Sequence, residues 1–180
     1  SGPFALLLPG ASTPEREWPP ERFARAARHL REVHGLAVAV AGTEKDRGKV
    51  RRIAEEADIP LHDLTGRLSL PQLAVVTARS KIVLGNDSGG IHLAAALETP
   101  GIAVATRASL VKFHPYPQAA EKPVRFVYPR TMGRIGTEPG PDEAAVQAGL
   151  PPLPVTDVET ADVLAALDAA LQPCQPMRED

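Results

Sequence analysis

The sequence has little of three features that would each indicate a particular class of protein. It has one cysteine, Cys174, so a disulfide framework and a cysteine-based metal site are excluded. No apolar stretch reaches the roughly 20 residues that cross a bilayer, since the longest, at 91–106, is interrupted by Glu98 and Pro100. Basic residues are not in excess: the formal net charge is −2, which argues against nucleic acid as a partner.

The composition that remains is that of one globular domain. The 180 residues are 43% hydrophobic and 23% charged, enough to bury a core. The start, Ser1-Gly2-Pro3, lacks the basic and apolar regions of a signal peptide. Because the first strand begins at Phe4, we expect a fragment of a longer protein. A single cysteine fits a reducing compartment, and we expect a cytoplasmic protein.

Short apolar runs alternate with longer stretches of helical periodicity. Strands are predicted at Phe4–Leu8, Leu36–Ala41, Leu61–Leu64, Lys81–Leu84, Gly101–Ala105 and Val124–Tyr128. The intervening segments predict helices over about 20–34, 46–57, 69–79 and 88–97. Such alternation is typical of parallel βαβ units. The predicted fold class is therefore α/β, a Rossmann-like parallel sheet with helices on both faces.

We expect one domain over residues 1–171. Within it, a segment rich in glycine and proline predicts an irregular excursion at 131–155. Thr156 or Asp157 is then predicted to cap a closing amphipathic helix over 157–171. Residues 172–180 are expected to form a disordered tail.

Ligands of open α/β sheets bind beyond the carboxyl ends of the strands, where the run Gly85–His92 is expected to lie. There Asn86 and Asp87 are predicted to turn the chain, and Ser88-Gly89-Gly90 opens a helix. Glycines allow close approach to the backbone, and the amides of a first helical turn bind anions. His92 shares a helix face with Ser88. The alternative is purely structural: a well-capped helix with a buried histidine.

Two other loops are predicted at the same edge. Pro9–Trp18 contains the hydroxyls of Ser12 and Thr13, which suit phosphate oxygens, and Arg16, which can neutralise a diphosphate. For Trp18, a structural role at the entry of the helix is the better interpretation. In the loop Gly42–Asp46, either Glu44 or Asp46 can accept hydrogen bonds from a ribose diol, although two acids in a charged stretch are often plain surface.

Three segments in this order resemble glycosyltransferase family 9, the ADP-heptose:lipopolysaccharide heptosyltransferases. They are PGAS…WPxERFAxxAxxL at Pro9–Leu30, DLTGxxSLxxLA within Asp63–Ala78, and GNDSGxxHLAAALxTP at Gly85–Pro100. The resemblance extends from about Phe4 to Ala105. It implies the C-terminal, nucleotide-sugar-binding half of a two-domain GT-B enzyme that inverts the anomeric centre without a metal or cofactor.

The resemblance also implies roles for individual residues. Ser12 and Thr13 match phosphate-loop hydroxyls, and Arg16 stands where the family often has a phosphate-binding lysine. The segment with Asp87, Ser88, Gly89 and His92 matches the one that holds the donor diphosphate and sugar. The acid that contacts the ribose most nearly matches Asp46, with Glu44 as the competitor. The catalytic base is expected in a domain that this chain lacks.

The sequence departs from the family pattern at two places. Gly90 replaces a bulkier residue, which would widen the site. After the strand at Gly101–Ala105, the family's Gly-Pro-Thr type of loop is replaced by Thr106–Ser109, in which Arg107 can still reach a phosphate.

By the same resemblance, the expected partners are a nucleotide-sugar donor, with ADP-heptose as the expected sugar nucleotide, and a glycolipid acceptor bound by the other domain. Peripheral association of the full enzyme with the inner face of the inner membrane is part of this expectation, and no nucleic acid is expected. Two other interpretations stay open: half of an enzyme similar to UDP-sugar 2-epimerases, and a non-catalytic nucleotide-binding module.

Overall fold

The computed structural model describes residues 2–106, 123–130 and 153–172. In these ranges the strands are β1 Phe4–Leu8, β2 Ala37–Val40, β3 Leu61–Asp63, β4 Ile82–Asn86, β5 Gly101–Val104 and β6 Val124–Val127. The helices are α1 Pro20–Glu32, α2 Arg47–Ala57, α3 Leu70–Arg79, α4 Gly89–Ala96 and α5 Thr160–Leu171. Short 3₁₀ turns occupy Pro14–Arg16, Glu44–Asp46 and Val155–Asp157.

The strands form one sheet in the order β3-β2-β1-β4-β5-β6, and every neighbouring pair is parallel. In the register at its centre, Leu6 of β1 lies between Ala39 of β2 and Val83 of β4. The order reverses between β1 and β4, and a crevice opens beyond the carboxyl ends of such strands. The sheet therefore places the loops after β1, β2 and β4 at one edge.

The strands are apolar on both faces, as buried parallel strands must be. On one face Leu7, Val40 and Leu84 belong to a core that also takes side chains from α1, α2 and α5. On the other, Leu6 and Val83 belong to a core completed by side chains from α3 and α4. The predicted α/β class, with helices on both faces of a parallel sheet, is confirmed.

The closing helix begins later than the predicted residue 157. Val155–Asp157 forms a separate 3₁₀ turn, and α5 starts at Thr160, with Glu159 rather than Thr156 or Asp157 at its N-cap. The backbone at Val158 is extended, which buries its side chain and lets its carbonyl accept a hydrogen bond from Trp18 Nε1 at 3.0 Å. The end of the helix at Leu171 agrees with the prediction.

The remaining expectations about organisation fall mostly beyond these ranges. The excursion predicted at 131–155 lies outside the described residues except for its last three positions, and the tail predicted at 172–180 lies outside them after Gln172. Among the helices that are described, none is long and apolar enough to cross a membrane.

Candidate functional site

Asn86 fixes both ends of the loop that follows β1. It was predicted to turn the chain, but it is the last residue of β4 and is fully buried, so this prediction is wrong. Its Nδ2 donates to the carbonyl of Pro9 at 2.8 Å, and its Oδ1 accepts from the backbone N–H of Trp18 at 3.0 Å. The loop Pro9–Trp18, which we call the first loop, is thereby held against the end of β4.

Trp18 itself belongs to the core. Its side chain is fully buried and packs edge-on against Phe23, with 5.2 Å between ring centroids. This arrangement agrees with the structural role that its position before α1 predicted.

An ion-paired cluster joins the first loop to the start of α4. Arg16 Nη2 lies 2.8 Å from Asp87 Oδ2, and His92 Nε2 lies 3.4 Å from Asp87 Oδ1. The Asp87 side chain is only 5% exposed, so its charge depends on these partners. Arg16 Nη1 also reaches the hydroxyl of Ser12 at 3.5 Å. We call Arg16, Asp87 and His92 the Asp87 cluster.

Tyr128, immediately after β6, is a neighbour of this cluster that the sequence did not single out. Its burial, with a smaller contribution from the negative charge of Asp87, raises the pKa of its hydroxyl above the ordinary value. The hydroxyl therefore stays protonated, a hydrogen-bond donor at neutral pH. The available signal was its place at the carboxyl end of a predicted strand.

Asp46 holds the loop after β2, Gly42–Asp46, which we call the second loop. Its Oδ2 accepts from the backbone N–H and the hydroxyl of Thr43 at 2.8 and 2.9 Å, and Lys49 Nζ lies 3.1 Å from Oδ1. Burial opposes ionisation of this carboxyl, but the hydrogen bonds from Thr43 and Lys49 outweigh it and lower its pKa. Asp46 is thus a charged group at the edge of the sheet, and both of its carboxylate oxygens are hydrogen-bonded.

The carboxylate of Asp46 also lies at the junction of the first loop and the second loop. A Cβ added at Gly10 of the first loop would lie 2.9 Å from Asp46 Oδ2, and one added at Gly42 would lie 2.8 Å from the same atom. Both distances are shorter than real Cβ contacts allow, so a larger residue at either position would displace the carboxylate from its bonds with Thr43 and Lys49. Lys49 strengthens the junction, because its Nζ also contacts Glu17 and the carbonyl of Pro9.

A cleft of about 620 Å³ opens between these loops, the segment after β3 and the start of α4. Its apolar side is formed by Leu8, Ala41, Leu68, Leu70 and Leu73. Its polar side includes Ser12, Thr13, Thr43, Lys45, Asp46, Lys49 and Ser88. A volume of this size with one apolar wall and a few polar groups is typical of a small-molecule site.

The predicted site residues fall into distinct places. Ser12, Thr13, Asp46, Ser88 and Gly90 line the cleft. The Asp87 cluster lies beside it, linked through the hydrogen bond from Arg16 to Ser12. Arg107 lies outside the described residues.

Glu44 takes a different position from its competitor Asp46. Its two carboxylate oxygens pair with Arg47 at 2.6 and 2.7 Å, both side chains are largely exposed, and Glu44 is absent from the cleft lining. A hydrogen bond from Arg47 lowers the pKa of Glu44. Of the two acids, Asp46 lines the cleft and Glu44 does not.

The two glycines that open α4 have different surroundings. A Cβ added at Gly89 would meet nothing within 4 Å, so a ligand can approach the backbone there. A Cβ at Gly90 would lie 2.7 Å from Leu8 Cδ1, so a larger residue there would displace the end of that side chain where α4 packs on β1. Ser88 is the N-cap, but its side chain makes no capping hydrogen bond. The first amides of α4 are thus not capped by that hydroxyl.

Lys45 was missed by the sequence analysis. It lies in the cleft lining, and within the described parts of the chain no ion pair involves it, in contrast to Lys49. Its position between the two acids Glu44 and Asp46 was the only signal, and it did not distinguish Lys45 from an ordinary surface residue.

Comparisons with known proteins agree with this architecture. The family model described as glycosyltransferase family 9 (heptosyltransferase) matches residues 1–125. Lipopolysaccharide heptosyltransferase 2 of Salmonella typhimurium is 32% identical over 107 residues, 57% of this chain and 30% of that protein. Lipooligosaccharide heptosyltransferase 2 of Haemophilus ducreyi is 33% identical over 103 residues, 54% of this chain and 29% of that protein. The matches thus span about a third of these relatives' length.

Solved structures extend the match to most of the chain. A family 9 glycosyltransferase from Veillonella parvula superposes with a TM-score of 0.74 at 20% identity, covering 94% of this chain and 46% of that one. The E. coli ADP-heptose heptosyltransferase II superposes with a TM-score of 0.66 at 25% identity and the same coverage. The chain corresponds to about half of each, as expected for one half of a GT-B fold. With the family model matching well over half of its residues, the chain belongs to glycosyltransferase family 9.

Proposed function

We propose that the cleft binds the nucleotide-sugar donor of a heptosyl transfer, with ADP-heptose as the donor and a lipopolysaccharide core sugar as the acceptor. The observation that carries the proposal is the cleft itself, which runs from an apolar wall to the start of α4, with the Asp87 cluster beside it. The names of the relatives support the choice of donor and acceptor, since they are heptosyltransferases of lipopolysaccharide or lipooligosaccharide.

The donor is proposed to lie with its base against the apolar wall. Leu68 and Leu73 offer a surface for a purine ring, and the carboxylate of Asp46 is within the same lining to accept from the ribose hydroxyls. The diphosphate then reaches the first turn of α4, where backbone amides and the helix dipole favour negative charge. Ser12, Thr13 and Ser88 add hydroxyl donors.

The Asp87 cluster is proposed to face the sugar and the leaving group. Arg16 has five N–H donors in a fixed fork, so it can keep its contact with Asp87 and still reach an oxygen of the diphosphate. Asp87 repels phosphate and is therefore better suited to accept from sugar hydroxyls. The diphosphate would therefore end at the positive charge of Arg16, and the sugar would begin at the negative charge of Asp87.

The reaction is proposed to be a metal-independent inverting displacement. An acceptor hydroxyl attacks the anomeric carbon from the face opposite the diphosphate, its proton passes to a base, and the bond to the diphosphate breaks with its electron pair. Arg16 and the amides of α4 stabilise the departing charge. The base is proposed to belong to another domain, because His92, the nearest candidate, is within 3.4 Å of Asp87 on the leaving-group side.

Calorimetric titration of the chain with ADP, UDP and GDP tests the proposal. ADP is expected to bind with the highest affinity, and the variant Leu68→Arg, which places a charge on the apolar wall, is expected to abolish this binding. Preference for UDP would favour the epimerase-like alternative, and binding of none of the three would favour a non-catalytic module.

A transfer assay tests the division of labour. With ADP-heptose and a lipopolysaccharide core acceptor, the 180 residues alone are expected to give no product, although they bind ADP. Formation of product by this chain would contradict the assignment of the base to another domain.

A further inference from the structure

Two histidines and an aspartate converge where the C-terminal ends of α1 and α5 meet. His29 lies in the last turn of α1, His34 follows that helix, and Asp168 lies in the last turn of α5. The Nε2 atoms of His29 and His34 lie 2.6 and 2.7 Å from the same oxygen, Asp168 Oδ1. All three ligand atoms lie within 4.8 Å of one another.

The arrangement of the two rings suits a shared ion. Their planes are inclined at 71° with centroids 5.4 Å apart, so both Nε2 atoms point to one place without the rings stacking. Each imidazole is 19% exposed and the Asp168 side chain is 41% exposed, which leaves a route for an ion and for solvent ligands. Tetrahedral Zn²⁺ with bonds of about 2.0 Å separates its ligands by about 3.3 Å, so Asp168 would retreat by less than about 1 Å.

The donor set determines the kind of ion. Two imidazole nitrogens and one carboxylate oxygen suit zinc and its transition-metal neighbours, whereas Mg²⁺ and Ca²⁺ prefer oxygen ligands throughout. We propose that His29, His34 and Asp168 bind a divalent transition-metal ion, with Zn²⁺ as the probe, and that the ion fastens α5 to α1.

The position of this site separates it from the cleft. At their starts, α1 and α5 meet where the Val158 carbonyl accepts from Trp18 and Arg22; at their ends they meet at His29 and Asp168. The helices therefore run side by side in the same direction, and the ion lies about 10 Å along α1 from Arg22, towards the opposite edge of the sheet. Its effect is on stability, and it takes no part in sugar transfer.

Thermal unfolding with and without Zn²⁺ tests the proposal. All proteins carry Cys174→Ser, so that the thiol supplies no ligand, and are stripped with EDTA and dialysed. At free Zn²⁺ about a hundredfold above the dissociation constant, we expect the Tm to rise by about 5 °C or more, with about one zinc retained per chain, and no rise with Mg²⁺. His29→Gln and His34→Gln are each expected to lose the rise and the retained zinc. His62→Gln, an exposed histidine on β3, is the matched control and keeps both.

The same data distinguish an ion site from a hydrogen-bonded cluster. If the two variants lower the Tm in EDTA but Zn²⁺ does not raise it in the parent protein, the three residues only hydrogen-bond and the proposal is wrong. It is also wrong if the zinc-dependent rise persists in both variants. Should His29→Gln fail to fold, as judged by circular dichroism, His34→Gln decides, because His34 lies outside the helix.

Discussion

The two loops that meet at Asp46 are held in place in different ways. The first loop depends on residues far away in sequence: Asn86 contacts its two ends across 77 and 68 positions, and Asp87 pairs with Arg16 across 71. The side-chain hydrogen bonds of the second loop are local, since Asp46 bonds Thr43 three positions earlier, and one longer-range backbone bond joins the N–H of Gly66 to the Gly42 carbonyl at 2.9 Å. A loop held by residues near it in sequence keeps its conformation when other elements change. A loop held by residues far away in sequence depends on the position of the element that carries them.

The difference bears on the proposed site. Ser12 and Thr13 line the cleft from a loop whose two ends are held by Asn86 of β4, and Ser88 follows the same strand two residues later. One strand therefore connects both sides of the proposed diphosphate site. The second loop contributes an acid whose charge is fixed by its own turn.

The largest effect is expected from removing the hydrogen bonds by which Asn86 holds the two ends of the first loop. Asn86→Ala leaves the Pro9 carbonyl and the Trp18 N–H without their partner in a buried place, which costs about 2–4 kcal/mol of unfolding free energy. Urea denaturation measures the change. Gln72→Ala is the matched control: its amide caps α3 locally at an exposed position, and its loss costs less than about 1 kcal/mol. Equal costs for the two variants would contradict the comparison.

The second largest effect is expected from weakening the hydrogen bonds of Asp46 within the second loop. Asp46→Asn removes the charge from the hydrogen bonds with Thr43 and Lys49, and we expect a loss of about 2 kcal/mol at neutral pH. The folded-state pKa of Asp46 is lowered, so its stabilisation is present above the unfolded aspartate pKa of about 3.9 and is lost as the pH falls through the lower folded-state value. The gap between wild type and variant should therefore shrink below about pH 4. A gap that stays constant down to pH 2 would contradict the pKa direction.

The local parts of this architecture were predictable from sequence. The strand Phe4–Leu8 was predicted to the residue, because a run of five apolar residues ends at Pro-Gly. Ser69 was predicted to begin α3, and it does so through a capping box with Gln72, a motif contained in four residues. Such features follow from neighbours in the chain and need no knowledge of the fold.

The predictions that were wrong concern features that depend on contacts between residues far apart in sequence. Asn86 looks like a turn residue beside Asp87, and only the position of the first loop above β4 explains why it is extended and buried. The start of α5 was misplaced because Val158 is extended to meet Trp18, 140 positions earlier. The alternation of strands and helices predicted that the loops after β1, β2 and β4 share one edge of the sheet, and they do, but the pairing of Arg16 with Asp87 follows only from the folded arrangement.

A smaller effect is expected on nucleotide binding. Arg16→Gln removes the positive charge proposed to face the diphosphate, and we expect the affinity for ADP to fall about tenfold, or about 1.4 kcal/mol. Calorimetry measures it, with Arg47→Gln of the exposed pair with Glu44 as the control that keeps wild-type affinity. If both variants lose affinity alike, a general loss of positive charge explains the result and the specific role of Arg16 is wrong.

The smallest effect is expected at Glu44. Its ion pair with Arg47 is exposed, and such pairs contribute little to stability, so Glu44→Gln should leave the Tm and the ADP affinity unchanged. A marked loss of ADP affinity in this variant, with Asp46→Asn unaffected, would assign the ribose contact to Glu44 instead.

Hydrogen exchange of the chain with and without ADP tests the central claim most directly, because it reports where the nucleotide binds. The account predicts slower exchange in the first loop, the second loop and residues 85–92, with no change at residues 29–34 or 165–172. Unchanged exchange in all three cleft segments at saturating ADP, or protection confined to the opposite edge, would contradict it.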